Sequence, residues 1–189
     1  IDAAGGEGLA CVADVRNEDD VVAAMQATVA RFGGIDVLVN NASTISLTST
    51  AATPMKRYDL MQAVNVRGTF LCSKSCLPFL RKAQNPHILT LSPPLTLKPE
   101  WFGNHVAYTL SKYGMSLCTL GLAAELAPQG IAVNSLWPKT IIATAAVENL
   151  FGGADALKRC RHPEIMADAA HAILTRPSRE FSGHFCIDE

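Results

Sequence analysis

Five short apolar runs recur along the chain with helix-length segments between them, and that alternation leaves few folds open. LACVADV (residues 9–15), DVLVNNA (36–42), HILTLSPP (87–94), IAVNSLWP (131–138) and the terminal FSGHFCIDE (181–189) read as strands. Runs this continuously apolar suit strands buried on both faces, which means a parallel sheet with helices packed on either side. The segments between them agree. Asn17 can cap a helix with Asp20 three residues on, and Gly33 and Gly34 end it. A long helix is expected over residues 53–82, with Pro54 tolerated in its first turn, and another over 106–126. Residues 139–180 read as an irregular stretch with short helices. The expected class is α/β, a doubly wound parallel sheet in one domain spanning residues 1–189.

Composition removes several functions. Sixteen basic residues against seventeen acidic ones give a formal charge of -1, with no basic block to contact phosphates, so nucleic-acid binding is not expected. The apolar runs fall well short of the roughly 18 to 20 residues a membrane-spanning helix needs, so no span is expected. Six cysteines (Cys11, Cys72, Cys76, Cys118, Cys160, Cys186) lack metal-site spacing and read as reduced, mostly buried thiols of an intracellular protein. Cys72 and Cys76 share a helix face, where core packing is the expected role.

An open parallel sheet places ligands outside the carboxyl ends of its strands. NNAS (40–43), LSPP (91–94) and WPKT (137–140) each follow a strand there, and Asp14 closes the first run. In the helix over 106–126, Tyr108 and Lys112 stand one turn apart, on one face with Met115, Thr119 and Leu122. The core stripe is expected elsewhere, through Val106, Leu110, Tyr113, Leu117, Leu120 and Ala124. An ammonium near a phenol favours phenolate, so such a pair can exchange a proton at neutral pH. By itself the spacing is more often that of a surface pair. Asp14 alone is as well explained by a turn or a helix cap, and a bare NN is a turn signal.

The ordered set of motifs carries more than any single one. Asp14-Val15, NNA at 40–42, NVRG at 65–68, Ser92 and YTLSK at 108–112 together resemble the short-chain dehydrogenase/reductase family, over essentially the whole chain. FGGIDVLVNNAS, SPPLTL, YGMS and WPKT are closer still to a hydroxysteroid dehydrogenase-like branch of it. The resemblance implies a Rossmann-like fold and an NAD(P)-dependent oxidoreductase, with NADP as cofactor and NAD as the alternative. It would interconvert a carbonyl and an alcohol on a small lipophilic substrate of steroid or fatty acyl type. A homo-oligomer is implied, pairing through the helices at 53–82 and 106–126, and so is a peroxisomal or mitochondrial address that nothing in the chain itself supplies.

The same resemblance assigns roles by position. Tyr108 would be the general acid/base, Lys112 would lower its pKa and hold the nicotinamide ribose, and Asn65 would order a relay water near Lys112. Ser92 would hydrogen-bond the substrate carbonyl. Asp14 and Val15 would lie at the adenine, Asn40, Ala42 and Ser43 along the cofactor, and Pro138, Thr140, Ile141 and Thr144 at the nicotinamide amide.

Three departures accompany it. The family's serine stands thirteen residues before the tyrosine, where this chain has Leu95; Ser92 or Pro93 takes its place, and Pro93 would offer no hydroxyl. The customary glycine after the fourth strand is Lys139, which needs ordinary backbone angles and so a different loop path, and which could bring charge beside a phosphate. Finally, nothing matches the glycine-rich turn that receives a pyrophosphate; AAGGEG (3–8) precedes the first run and opens no helix. By the family strand order, the run at 9–15 resembles the third strand, and the first two, which would lie between it and the run at 36–42, are absent. A gap two strands wide cannot be bridged by ladder hydrogen bonds. The expectation is an incomplete domain that binds dinucleotides poorly, and the alternative reading is a truncated, non-catalytic family member acting through subunit association.

Overall fold

A computed structural model describes residues 1–151 and 153–189. Its sheet has four parallel strands in the order β1 (Val37–Asn40), β2 (His87–Thr90), β3 (Ala132–Trp137) and β4 (Phe185–Ile187). Helices α1 (Glu18–Phe32), α2 (Met55–Met61), α3 (Gly68–Leu80), α4 (Val106–Leu126), α5 (Ala145–Phe151), α6 (Ala154–Leu157) and α7 (Glu164–Leu174) flank or connect the strands. The doubly wound α/β class is therefore the observed one.

Local chemistry explains the helix ends. The Asn17 side chain accepts the Asp19 amide, three acidic residues sit in the first turn of α1, and Gly33 closes it at φ 87°, a left-handed conformation that favours glycine. Between α2 and α3 the helix is not broken but widened into a π turn at Gln62–Arg67. Such turns are uncommon and gather at functional positions; this one contains Asn65, which is fully buried. The π turn lies against α4 at Gly114, where an added Cβ would sit 2.5 Å from a methyl of Val66. Only hydrogen fits that close approach.

Alternate residues of the strands feed two cores. Ile88 and Val133 face α3 and α4 and pack with Cys76, Leu80, Leu122 and Leu126, while Leu89 and Leu136 face Ile173 of α7. Leu80 and Leu126 have no exposure at all, and a side chain so buried contributes about 1.5–3 kcal/mol. Val37 and Val39 of β1 remain 38% and 45% exposed.

Three expectations are corrected. Residues 9–15 form no strand: they have no ladder partner, the segment ends in a turn at Val15, and Val12 is wholly exposed. A strand exists by pairing, and β1 is the edge of the observed sheet. The expected core stripe of α4 is reversed, because Leu110, Leu117 and Leu120 are 44%, 57% and 49% exposed while Ser111, Lys112, Met115, Ser116, Thr119 and Leu122 are buried. The polar face packs inward because β3 and the π turn supply partners for its hydroxyls. The thiols are less buried than expected: among the six cysteines no disulfide is formed in the described residues, Cys76 alone is fully buried and Cys11 is exposed.

Candidate functional site

Lys112 organises the region beyond the carboxyl ends of β2 and β3. It is 5% exposed, and its Nζ donates to the Leu91 carbonyl at 2.7 Å and to Met115 Sδ at 3.3 Å, 5.3 Å from the centre of the Trp137 ring. Burial disfavours the charged form and pulls its pKa down to about 8. Tyr108, one turn earlier, is half-buried, and burial pushes its phenol up to about 12. The downward shift expected from Lys112 is absent here; desolvation governs both groups, and Tyr108 is a protonated phenol at neutral pH.

Asn65 is a bracket. Its Oδ1 accepts the Thr44 amide at 2.8 Å, and its Nδ2 donates to the Thr44 carbonyl at 3.0 Å and to Ser111 Oγ at 2.9 Å. The loop after β1 is thus tied to α4 one residue before Lys112. Asn40 braces the sheet from the other side: its Nδ2 donates to Ser73 Oγ at 3.1 Å, and its carbonyl accepts the Leu91 amide.

A cavity of about 510 Å³ opens beside Lys112. Its walls include Pro93, Pro94, Trp101 and Trp137, with Pro138 from the loop after β3. Two expected participants do not line it. Tyr108 is absent from the lining, which α4 supplies through Thr109, Lys112 and Tyr113. Ser92 is fully buried and turned inward, its Oγ 2.8 Å from Ser135 Oγ, which in turn reaches Thr119 Oγ1 at 2.8 Å. That hydroxyl chain joins β2, β3 and α4, and Pro93 stands at the cavity where a serine hydroxyl was expected.

The residues expected along the cofactor divide into groups. Val15, Asn40 and Ala42 converge on a separate hollow of about 60 Å³, together with Gly68, Thr69 and Cys72. Ser43 is exposed. Asp14 holds Arg16 by a forked ion pair and begins the turn into α1, its carboxyl lowered to about 2 by the Arg16 side chain and amide. Thr140 accepts Arg161 Nε at 2.6 Å, Ile141 is 54% exposed, and the Thr144 carbonyl accepts the Glu148 amide at the start of α5. Lys139 has ordinary backbone angles, since every positive φ in the described residues belongs to glycine.

Sequence reasoning missed one cluster entirely. The Asp188 side chain has no exposure and accepts Arg161 Nη2 at 2.9 and 2.8 Å and the Lys139 amide at 2.9 Å. Burial would raise its pKa, but the Lys139 amide and the Arg161 guanidinium outweigh it and hold it below the ordinary carboxylate value. Arg161 is further knit to this loop by its own backbone, donating to the Ile141 carbonyl and accepting the Ala143 amide. The loop that carries Pro138 and Lys139 to the cavity is therefore clamped from behind. The partners lie 27 and 49 residues apart in sequence, so no local signal announces them. Trp137 did carry a signal, as an aromatic at the carboxyl end of a strand.

The phosphate-binding part of a dinucleotide is not matched by this geometry. A buried lysine stands beside a roomy cavity, whereas the described residues hold no glycine-rich strand-turn-helix.

Comparison with known proteins agrees with this architecture. The family model described as Enoyl-(Acyl carrier protein) reductase matches residues 1–174. Hydroxysteroid dehydrogenase-like protein 2 of Xenopus tropicalis is 58% identical over the whole chain, and that of Homo sapiens 54%. The chain spans 45% and 44% of those two relatives, less than half their length. The crystal structure of a short chain dehydrogenase from Mycobacterium thermoresistibile superposes with a TM-score of 0.92 at 51% identity, covering 100% of this chain and 66% of that one. By sequence and by fold, the chain belongs to the short-chain dehydrogenase/reductase family.

Proposed function

We propose that this chain carries the substrate side of an NAD(P)-dependent oxidoreductase that interconverts a carbonyl and an alcohol on a lipophilic substrate of steroid or fatty acyl type, with NADP as cofactor and NAD as the alternative. The observation that carries the reading is Lys112, buried one turn after Tyr108 at the wall of a largely apolar cavity. A bound nicotinamide would supply the hydride. The chain's own residues handle the proton: Tyr108, a phenol kept protonated by burial, would donate from Oη to the carbonyl oxygen as negative charge develops there, although α4 forms the cavity wall with Thr109, Lys112 and Tyr113 rather than with Tyr108. Lys112 would hold the ribose with its remaining N–H, and Asn65 keeps the loop after β1 and α4 in register for both.

Val15, Asn40, Ala42 and Ser43 are proposed to follow the cofactor, Asp14 to meet its adenine, and Pro138, Thr140, Ile141 and Thr144 to meet the nicotinamide amide. Ser92, whose hydroxyl is held by Ser135, would brace the strand ends behind the cavity, while Pro93 occupies the wall where the carbonyl would sit. A peroxisomal or mitochondrial setting follows from the resemblance. No helix of the described residues is long and apolar enough to cross a membrane.

The pH profile tests this assignment. Reduction of a long-chain ketone is expected to fall as pH rises through about 8, where Lys112 loses its proton, with no inflection from Tyr108 in that range. A profile flat through pH 9 contradicts the role of Lys112.

A second reading, association without catalysis, is favoured by one observation: the exposed Leu110, Leu117 and Leu120 share one face of α4, and Phe70 of α3 is likewise 54% exposed. Apolar area of this sort marks an interface. Leu117→Glu is expected to shift the protein from oligomer to monomer in sedimentation; an unchanged oligomer removes this face from consideration.

A further inference from the structure

The chain has two tryptophans, and both Trp101 and Trp137 line the cavity beside Lys112. With Ile187 they make its walls apolar, and charge enters only at Lys112, Lys139 and Glu189. The two lysines differ in what they have left to offer. The Lys112 ammonium is engaged by Leu91 and Met115 and is buried. The Lys139 ammonium pairs with Glu189 Oε1 at 2.6 Å, and both side chains are more than half exposed, at 56% and 57%. A pair so exposed is weak and exchanges readily for another carboxylate. The base of the Lys139 side chain is nevertheless fixed, because its amide is held by the buried Asp188 carboxylate at 2.9 Å.

We propose that Lys139 is the headgroup subsite of this cavity, and that the ligand it takes is an amphipathic carboxylate, its tail between the two indoles and its carboxylate replacing that of Glu189 on the ammonium. A cavity of about 510 Å³ is within the range of small-ligand sites. The contact is a charge-assisted hydrogen bond, which an alcohol of the same length cannot make. This position is also the one where the family resemblance calls for glycine, so the subsite would distinguish this chain by an added cation. The inference rests on reading this cavity as the substrate site, yet it concerns binding alone, without nicotinamide or turnover, so its failure and that of the reductase reading are separable.

The test is tryptophan fluorescence, since both fluorophores report from the cavity walls. The protein is titrated with dodecanoate below its micellar concentration, and separately with dodecanol. Dodecanoate is expected to bind about tenfold more tightly than dodecanol. Lys139→Met should abolish that preference while leaving dodecanol affinity unchanged, Lys139→Arg should keep it, and Glu189→Gln should tighten dodecanoate binding by removing the competing carboxylate. Equal affinity for the two probes in the unmodified protein, an unchanged preference in Lys139→Met, or absence of any fluorescence response to either probe would overturn the proposal.

Discussion

Replacing Tyr108 by phenylalanine is expected to lower kcat for carbonyl reduction by about 10²–10⁴-fold, the usual contribution of a positioned general acid. The ring stays, so the half-buried packing at the start of α4 is kept and the fold should be unaffected. The loss should fall on kcat rather than on substrate affinity, because the proton matters only as charge develops on the oxygen. Cosolvent acids would not rescue it from inside a site where burial already holds the phenol at about 12. Circular dichroism and a thermal midpoint close to the parent's, together with collapsed turnover, make up the expected result. Unchanged turnover in this variant would end the catalytic assignment.

The largest stability effect is expected at Arg161. Its guanidinium is the cationic partner of Asp188, whose side chain has no exposure. Arg161→Met leaves that carboxylate buried with the Lys139 amide alone, and stranding a buried charge costs about 3–5 kcal/mol. Because Arg161 is itself 34% exposed, solvent relieves part of this and the lower end of that range is expected. Adding Asp188→Asn removes the stranded charge and should recover most of the loss. The pH dependence has a definite sign. Asp188 has a lowered pKa in the folded state, so its stabilisation is present above the unfolded carboxylate value and is lost as pH falls through the folded one. Parent and variant should therefore converge in stability at acid pH and differ most at neutral pH. Chemical denaturation at several pH values measures this; equal stability at pH 7 would show that the cluster contributes nothing.

How much of this was legible in the sequence depends on how local each determinant is. The ends of α1 were readable because Asn17 and Gly33 act within one turn of themselves. Strands β2 and β3 were readable because both are buried along most of their length and so carry no polar alternation. Residues 9–15 have strand composition but no strand, since pairing is a property of two segments and not of one. In α4 the apolar-periodicity rule chose the wrong face: its buried side is rich in Ser111, Lys112, Ser116 and Thr119, each satisfied by a partner on another element, while its leucines are exposed. The site shows the same division. Tyr108, Lys112 and Asn65 were singled out by motif and order, whereas the inward turn of Ser92 depends on Ser135, 43 residues away.

In the proposed reaction Tyr108 and Lys112 serve hydride transfer between a nicotinamide and a carbonyl. Its most direct test uses reduced cofactor carrying deuterium at the transferable position, incubated with a long-chain ketone and the protein purified from its source, with the product alcohol examined by mass spectrometry. Deuterium is expected on the carbinol carbon, appearing faster with NADPH than with NADH and lost in Tyr108→Phe. Cofactor that binds while no deuterium reaches any ketone, or transfer that persists in Tyr108→Phe, would contradict it.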